Sequence, residues 1–204
     1  MKVIRICNIA TFALFVSHFT LSAQISPTKI GNIISDFELS DTENKVVSLK
    51  NYSDAKGLIV VFTCNHCPFA KLYTERFNDL NTKYKAQDVP LIAINSMDTL
   101  VYEEESFALM QKKARKEHFN FPYLYDFDQT AGKIFSADKT PHAFVVWKEN
   151  NMWVIRYSGA IDDNGEEPEK ATSFLANAVD DLLKNKPVAV PETESFGCKI
   201  FYRK

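Results

Sequence analysis

Cysteine is scarce in this sequence, with four residues among 204. So low a cysteine content excludes a disulfide-dense secreted scaffold, and the fold must depend on a hydrophobic core. An excess of cationic residues is also missing, because 24 lysines and arginines are scattered among 26 acidic residues. A nucleic-acid-binding protein would have a clustered basic face, so the charge pattern excludes that class.

The apolar stretch at the start of the chain is shorter than the roughly 20 residues that a membrane-spanning helix needs. It lies within residues 1–23, which have Lys2 and Arg5 near their start and small residues at their end. This order is typical of a secretory signal peptide. We therefore expect an exported protein, periplasmic or secreted, with no stable membrane span after residues 1–23 are removed. The alternative is that this segment is kept as a membrane anchor.

The rest of the chain has the size of one domain, which we place at residues 24–186, followed by a C-terminal tail at residues 187–204. Removal of the signal peptide would leave three cysteines, Cys64, Cys67 and Cys198. An odd number means that at least one thiol has no obvious partner in the chain. Any disulfide formed here is expected to be functional rather than structural.

Hydrophobic patterns predict an α/β fold. A continuous apolar run at residues 57–63 is typical of a strand that is covered on both faces, so it should be central in a sheet. The other predicted elements are a hairpin at 37–49, a helix from Phe69 onward, a strand at 89–96, a helix at 103–119, a short strand and helix at 121–135, antiparallel strands on either side of a turn at 149–152, and a helix at 168–186. This order predicts a mixed central sheet with helices on both faces and an N-terminal β-hairpin.

Cys64 and Cys67 stand where the predicted central strand passes into a helix, in the sequence VVFTCNHCPFAK. Backbone N–H groups at a helix start favour a thiolate, which we assign to Cys64. The spacing lets Cys67 close a small disulfide with it, as dithiol–disulfide exchange requires. His66 lies between the cysteines and is expected to stabilise the thiolate further; the alternative is an exposed turn residue without a role.

The hairpin, the CNHCP motif and the sequence KTPH before a later strand resemble the thioredoxin-fold redoxin group (AhpC/TSA-like, thiol-disulfide oxidoreductase), over about residues 36–184. The resemblance implies that Pro141 is a cis proline facing the disulfide, and that the Thr140 backbone pairs with an extended substrate peptide. Otherwise Pro141 is a proline that starts a strand. The implied activity is disulfide exchange with protein thiols, with a second redox protein for recycling and no bound metal or other cofactor.

Two departures from related patterns leave alternatives open. Thioredoxins have Trp before the first cysteine and Gly-Pro inside the motif, whereas this chain has Thr63 and then Asn65-His66. The PxxxTxxC pattern of peroxiredoxins does not fit either cysteine of the motif. One alternative is copper or zinc binding or delivery by the two thiols with His66 or His142 as a further ligand. The other is a thiol peroxidase.

Cys198 has three interpretations: a further redox thiol that folds back onto the motif, a cysteine for an intermolecular disulfide, or a small buried apolar residue. No general base is predicted, because Asp36 and Glu38 in the hairpin are expected at the surface. The acids at 103–105 are interpreted as the first turn of a helix, where they would complement its dipole.

Overall fold

The computed structural model describes residues 29–204, so the predicted signal peptide lies outside the described residues. The strands are β1 (Ile33–Ile34), β2 (Glu38–Asp41), β3 (Val46–Ser48), β4 (Gly57–Phe62), β5 (Leu91–Asn95), β6 (Tyr123–Tyr125), β7 (Lys139–Thr140), β8 (His142–Glu149), β9 (Met152–Gly159) and β10 (Cys198–Lys199). The helices are α1 (Pro68–Leu72), α2 (Thr74–Lys85), α3 (Phe107–Lys116), α4 (Thr130–Phe135) and α5 (Phe174–Leu183). None of these helices is long and apolar enough to cross a lipid bilayer.

Eight strands form one sheet in the order β1-β9-β8-β4-β5-β6-β2-β3, while β10 pairs with β7 in a separate ribbon. Strand β4 lies inside the sheet, parallel to β5 and antiparallel to β8. Its side chains from Leu58 to Phe62 are fully buried, and each large apolar one contributes about 1.5–3 kcal/mol to stability. The prediction of a central strand covered on both faces is confirmed.

The predicted N-terminal hairpin is confirmed as β2 and β3, which pair in antiparallel register. The Asp41 carboxylate closes the turn, since it accepts the N–H groups of Glu43 and Lys45 at 2.8 Å each. The strands β8 and β9 are antiparallel neighbours, as the short turn between them requires.

Helices cover both faces of the sheet. On one face, α2, α3 and α5 bury Phe77, Met110 and Leu175 against the odd-numbered side chains of β4. On the other face, α4 buries Phe135 against Phe62 of β4 and α1 buries Ala70. The predicted α/β architecture is therefore confirmed, and the start of α1 lies at the end of β4.

Two predicted helices begin later than expected. The acids at Glu103–Glu105 form a 3-10 turn and α3 starts only at Phe107, because the Glu105 side chain turns into the protein and is fully buried. A helix with all three acids on its first turn would have left this carboxylate in solvent. Likewise Pro168–Lys170 forms a separate 3-10 turn before α5.

The C-terminal tail at residues 187–204 packs against the domain. Ile200 is 2% exposed and belongs to the core on the α4 side of the sheet. Gln129 fixes the last residues, since its amide donates to the Phe201 carbonyl at 2.8 Å and accepts the Arg203 N–H at 2.7 Å. The tail is therefore a part of the folded unit.

Candidate active site

The two motif cysteines lie where β4 ends and α1 begins. Cys67 is the residue that precedes the helix, and Pro68 occupies the first helical position, for which proline is well suited because its N–H would have no helical partner. Cys64 and Cys67 are both fully buried, and neither forms a disulfide in this structure.

Thr140 contacts both sulfurs from the opposite side. Its hydroxyl lies 3.2 Å from Cys64 Sγ, and its carbonyl oxygen lies 3.2 Å from Cys67 Sγ. The Thr140–Pro141 peptide bond is cis, the isomer that the resemblance implied. The sequence motif and the KTPH segment, more than 70 residues apart, thus meet at one site.

The third cysteine reaches the same site from the tail. Strand β10 runs antiparallel to β7 with Cys198 opposite Thr140, and Cys198 packs against the core cluster that contains Cys64 and Cys67. Gly197 permits this approach, because a Cβ there would come within 2.1 Å of the Thr140 carbonyl oxygen. The backbone edge that the resemblance assigned to an extended substrate is therefore occupied by the protein's own tail.

The anionic charge of the site is favoured on Cys67. Hydrogen bonds from the Cys64 thiol, the Cys198 thiol and the backbone N–H groups of Ala70 and Cys198 lower the pKa of Cys67 to about 4, against the opposing effect of burial. One contact favours the thiol instead, because only a protonated Cys67 can donate to the Thr140 carbonyl. The four donors outnumber this acceptor, so the thiolate is favoured.

The other two thiols are held protonated. The pKa of Cys64 lies far above its usual range. The largest cause is the hydrogen bond to Cys67, and burial and the charge of Glu105 raise the pKa further. Burial and the hydrogen bond to Cys67 raise the pKa of Cys198 to about 11. These shifts favour the charge on Cys67, whereas Cys64 was expected to carry the thiolate; the role of Cys64 as the attacking sulfur stays a prediction.

Glu105 is the site residue that sequence reasoning missed. Its buried carboxylate accepts the N–H groups of Asn65 (2.8 and 3.0 Å) and His66 (2.9 Å), and the side-chain amide of Asn95 at 2.6 Å. It therefore fixes the backbone of the two residues between the cysteines. A run of three acids, Glu103–Glu105, carries no sequence signal that separates the buried one from its exposed neighbours. Asp36 and Glu38, by contrast, are exposed as predicted.

His66 faces Glu105, with Nδ1 2.6 Å from a carboxylate oxygen and the ring stacked on Tyr102. The ligand atoms of Cys64, His66 and Glu105 lie within 4.8 Å of one another, close enough to share a metal ion. Cys67, which the metal-binding alternative also invoked, is not a member of this group of three.

His142, the other histidine of the metal-binding alternative, lies beside Pro141 and has different partners. Its Nδ1 is 2.8 Å from Asp138 and its Nε2 is 3.1 Å from the Ser158 hydroxyl. Burial lowers the pKa of His142. The ring thus connects the turn before the cis proline to β9.

The profile of the AhpC/TSA family matches residues 30–166, which is more than half of the chain. The chain therefore belongs to the AhpC/TSA family, and its fold is thioredoxin-like, as the motif resemblance predicted.

Two solved structures of similar proteins align over most of the chain. A hypothetical protein from Sinorhizobium meliloti 1021 is 29% identical, with a TM-score of 0.79 over 87% of this chain and 97% of that one. An uncharacterised conserved protein from Geobacillus kaustophilus is 30% identical, with a TM-score of 0.78 over 85% and 92%. The thiol-disulfide oxidoreductase ResA of Bacillus thuringiensis subsp. konkukian is 22% identical over 147 residues, 72% of this chain and 79% of ResA.

The charge distribution predicts an acidic thiol titration. Raising the pH through about 4 should convert Cys67 from thiol to thiolate and increase the thiolate absorbance at 240 nm of the reduced protein. In a Cys7→Ser background, a second increase, from Cys198, should follow near pH 11. The Cys67→Ser variant should lack the acidic step. An acidic step that persists in this variant would place the charge on another thiol.

Proposed function

We propose that this protein is a thiol-disulfide oxidoreductase that exchanges disulfides with protein thiols through Cys64 and Cys67. The observation that carries the proposal is the position of the two sulfurs: both hydrogen-bond to Thr140, and the Thr140–Pro141 peptide bond is cis. The similarity to an enzyme called a thiol-disulfide oxidoreductase supports the same chemistry.

The exchange moves two electrons without a bound cofactor. In the oxidised protein Cys64 and Cys67 form a disulfide. A thiolate from a partner attacks one of these sulfurs, a mixed disulfide forms, and the second partner thiol breaks it. The partner leaves as a disulfide, and the protein holds two reduced sulfurs that share one proton. A second redox protein must then reoxidise the pair for another cycle.

The direction of exchange follows from which form of the pair is stabilised. The four donors around Cys67 stabilise the thiolate, which exists only in the reduced protein. Stabilising the reduced form makes a pair more oxidising. We propose that this pair oxidises partner thiols, and that it does so outside the cytoplasm after residues 1–23 have been removed.

The reduction potential tests this proposal. The protein is equilibrated in glutathione buffers, and the Cys64–Cys67 disulfide is measured by alkylation and mass spectrometry. We expect a reversible two-electron couple that is more oxidising than about −270 mV, the value of thioredoxin. A potential at or below that value would contradict the oxidising direction. If no Cys64–Cys67 disulfide forms at any ratio, dithiol exchange is the wrong function.

A second candidate function is zinc binding, because Cys64, His66 and Glu105 place three suitable ligand atoms close together. The Glu105 oxygens already accept several N–H groups, so a metal ion would compete with the hydrogen bonds that shape the motif. Protein purified from zinc-supplemented medium is analysed for metal content. One zinc per chain, lost in Glu105→Gln and with no Cys64–Cys67 disulfide in glutathione buffers, would favour this candidate.

A further inference from the structure

The tail closes the site that the proposed exchange needs. Cys64 and Cys67 are fully buried, whereas Cys198 on the covering strand is partly exposed. A partner protein that approaches this structure therefore meets Cys198 before it can reach either sulfur of the motif.

Contacts on both sides of Cys198 hold the covering strand in place. Before it, the Ser195 carbonyl accepts the Lys139 ammonium at 2.6 Å, and the Ser195 hydroxyl donates to Asp138 at 3.2 Å. After it, the Ile200 N–H donates to the Asp138 carbonyl at 2.8 Å and the Ile200 side chain enters the core. Cys198 is therefore positioned by the fold and does not reach the site by chance.

The three sulfurs have a defined order. Cys67 Sγ lies 3.2 Å from the Thr140 carbonyl oxygen, the atom that also faces Gly197 and Cys198 in the ribbon of β7 and β10. Cys64 Sγ instead lies 3.2 Å from the Thr140 hydroxyl. Cys67 is thus shared by two pairs of sulfurs: the inner pair, Cys64 and Cys67, and the outer pair, Cys67 and Cys198. A disulfide can pass from the inner pair to the outer pair at Cys67.

We propose that Cys198 is a third redox thiol, which receives the disulfide from the buried pair and presents it to partner thiols at the protein surface. The inference rests on the proposed function and adds the route by which partners reach the buried couple.

The transfer balances within the chain. Starting from the Cys64–Cys67 disulfide, the Cys198 sulfur attacks Cys67 as a thiolate. The Cys67–Cys198 bond forms, the Cys64–Cys67 bond breaks, and the proton lost by Cys198 ends on Cys64. A partner thiolate then attacks Cys198, and Cys67 leaves with the electron pair.

The order of the sulfurs is tested by mapping disulfides in variants that each lack one cysteine of the motif. All proteins are full-length chains that carry Cys7→Ser, so that only the three described cysteines can pair. After equilibration with glutathione buffers, Cys64→Ser should form an intramolecular Cys67–Cys198 disulfide. The matched control Cys67→Ser should form at least about tenfold less Cys64–Cys198 disulfide, because Cys64 Sγ lies against the Thr140 hydroxyl, whereas Cys67 Sγ lies against the carbonyl that faces β10. Cys64→Ala is a second variant in case the serine disturbs folding.

A glycine substitution tests whether the strand pairing positions Cys198. In the Cys64→Ser background, Gly197→Ala forces the tail away from the Thr140 carbonyl and should reduce the Cys67–Cys198 disulfide about tenfold. Gly31→Ala is the control, because Gly31 also has a positive φ, of +87°, but a Cβ there meets nothing within 4 Å. An equal yield in the two variants would show that β10 does not guide the pairing.

A third experiment compares the rate of exchange with a protein thiol and the rate with a small thiol. Oxidised Cys198→Ala should oxidise reduced, unfolded ribonuclease A at least about tenfold more slowly than the wild type. Its reduction by dithiothreitol should change less, because a small thiol needs less space to reach the buried disulfide. If Cys64→Ser forms no Cys67–Cys198 disulfide, or if Cys198→Ala oxidises ribonuclease A at the wild-type rate, the third thiol is not a carrier. A Cys64–Cys67 disulfide in the wild type would still uphold the proposed function.

Discussion

The Cys67→Ser variant is expected to lose at least about a thousandfold of the rate at which the protein oxidises protein thiols, because a hydroxyl cannot form a disulfide or leave as a thiolate. Cys67 belongs to both the inner and the outer pair of sulfurs, so this substitution removes the two pairs together. The measurement is the disappearance of free thiols from reduced ribonuclease A under excess oxidised protein.

Two comparisons make the result specific to Cys67. Urea denaturation should show that the variant is folded under the assay conditions but less stable than the reduced wild type at neutral pH, because serine cannot carry the charge that the low pKa of Cys67 places there. Cys64→Ser should retain a residual rate, because it can still form the Cys67–Cys198 disulfide. Equal residual rates in the two variants would contradict the central position of Cys67.

The second large effect is expected on stability. Glu105→Ala should lower the free energy of unfolding by about 3–5 kcal/mol, because it leaves the part-buried N–H groups of Asn65 and His66 and the buried amide of Asn95 without their acceptor. Urea denaturation of the reduced proteins measures this difference.

Glu103→Ala is the matched control, since Glu103 lies in the same 3-10 turn with an exposed side chain. It should change the free energy of unfolding by less than about 0.5 kcal/mol. Glu105→Gln should lie between the two, because the amide keeps one acceptor oxygen and turns an NH2 group toward the remaining donors. Equal stability of the Glu105→Ala and Glu103→Ala variants would show that the carboxylate does not hold the motif.

Local patterns predicted the parts of the fold that a short segment specifies. The apolar run of β4 needs cover on both faces wherever it lies, and the turn after β8 is too short for a crossover. The CxxC spacing likewise placed Cys64 and Cys67 at a strand end before a helix. These features depend on neighbours in the chain and are visible in the sequence.

Glu105 and β10 depend on contacts between segments that are far apart in the sequence. Glu105 bonds to backbone groups about 40 residues away, and a run of acids looks the same in sequence whether it faces solvent or the core. β10 has two residues, and its partner β7 has two as well, so neither has a periodicity to detect. The position of Cys198 beside the motif was therefore one of several open interpretations.

The pairing of β10 with β7 also limits how partners can be selected. A tethered segment acts at an effective concentration on the order of millimolar, so a free peptide at micromolar concentration competes poorly for the same backbone edge. In the proposed exchange, partners would then be recognised at the outer surface of the tail and not at the Thr140 backbone edge; at that surface Lys199 and the exposed ring of Phe201 flank the buried Ile200. Relatives that keep the same buried dithiol can thus acquire different partners by changing the tail residues around Cys198, without altering the reacting sulfurs.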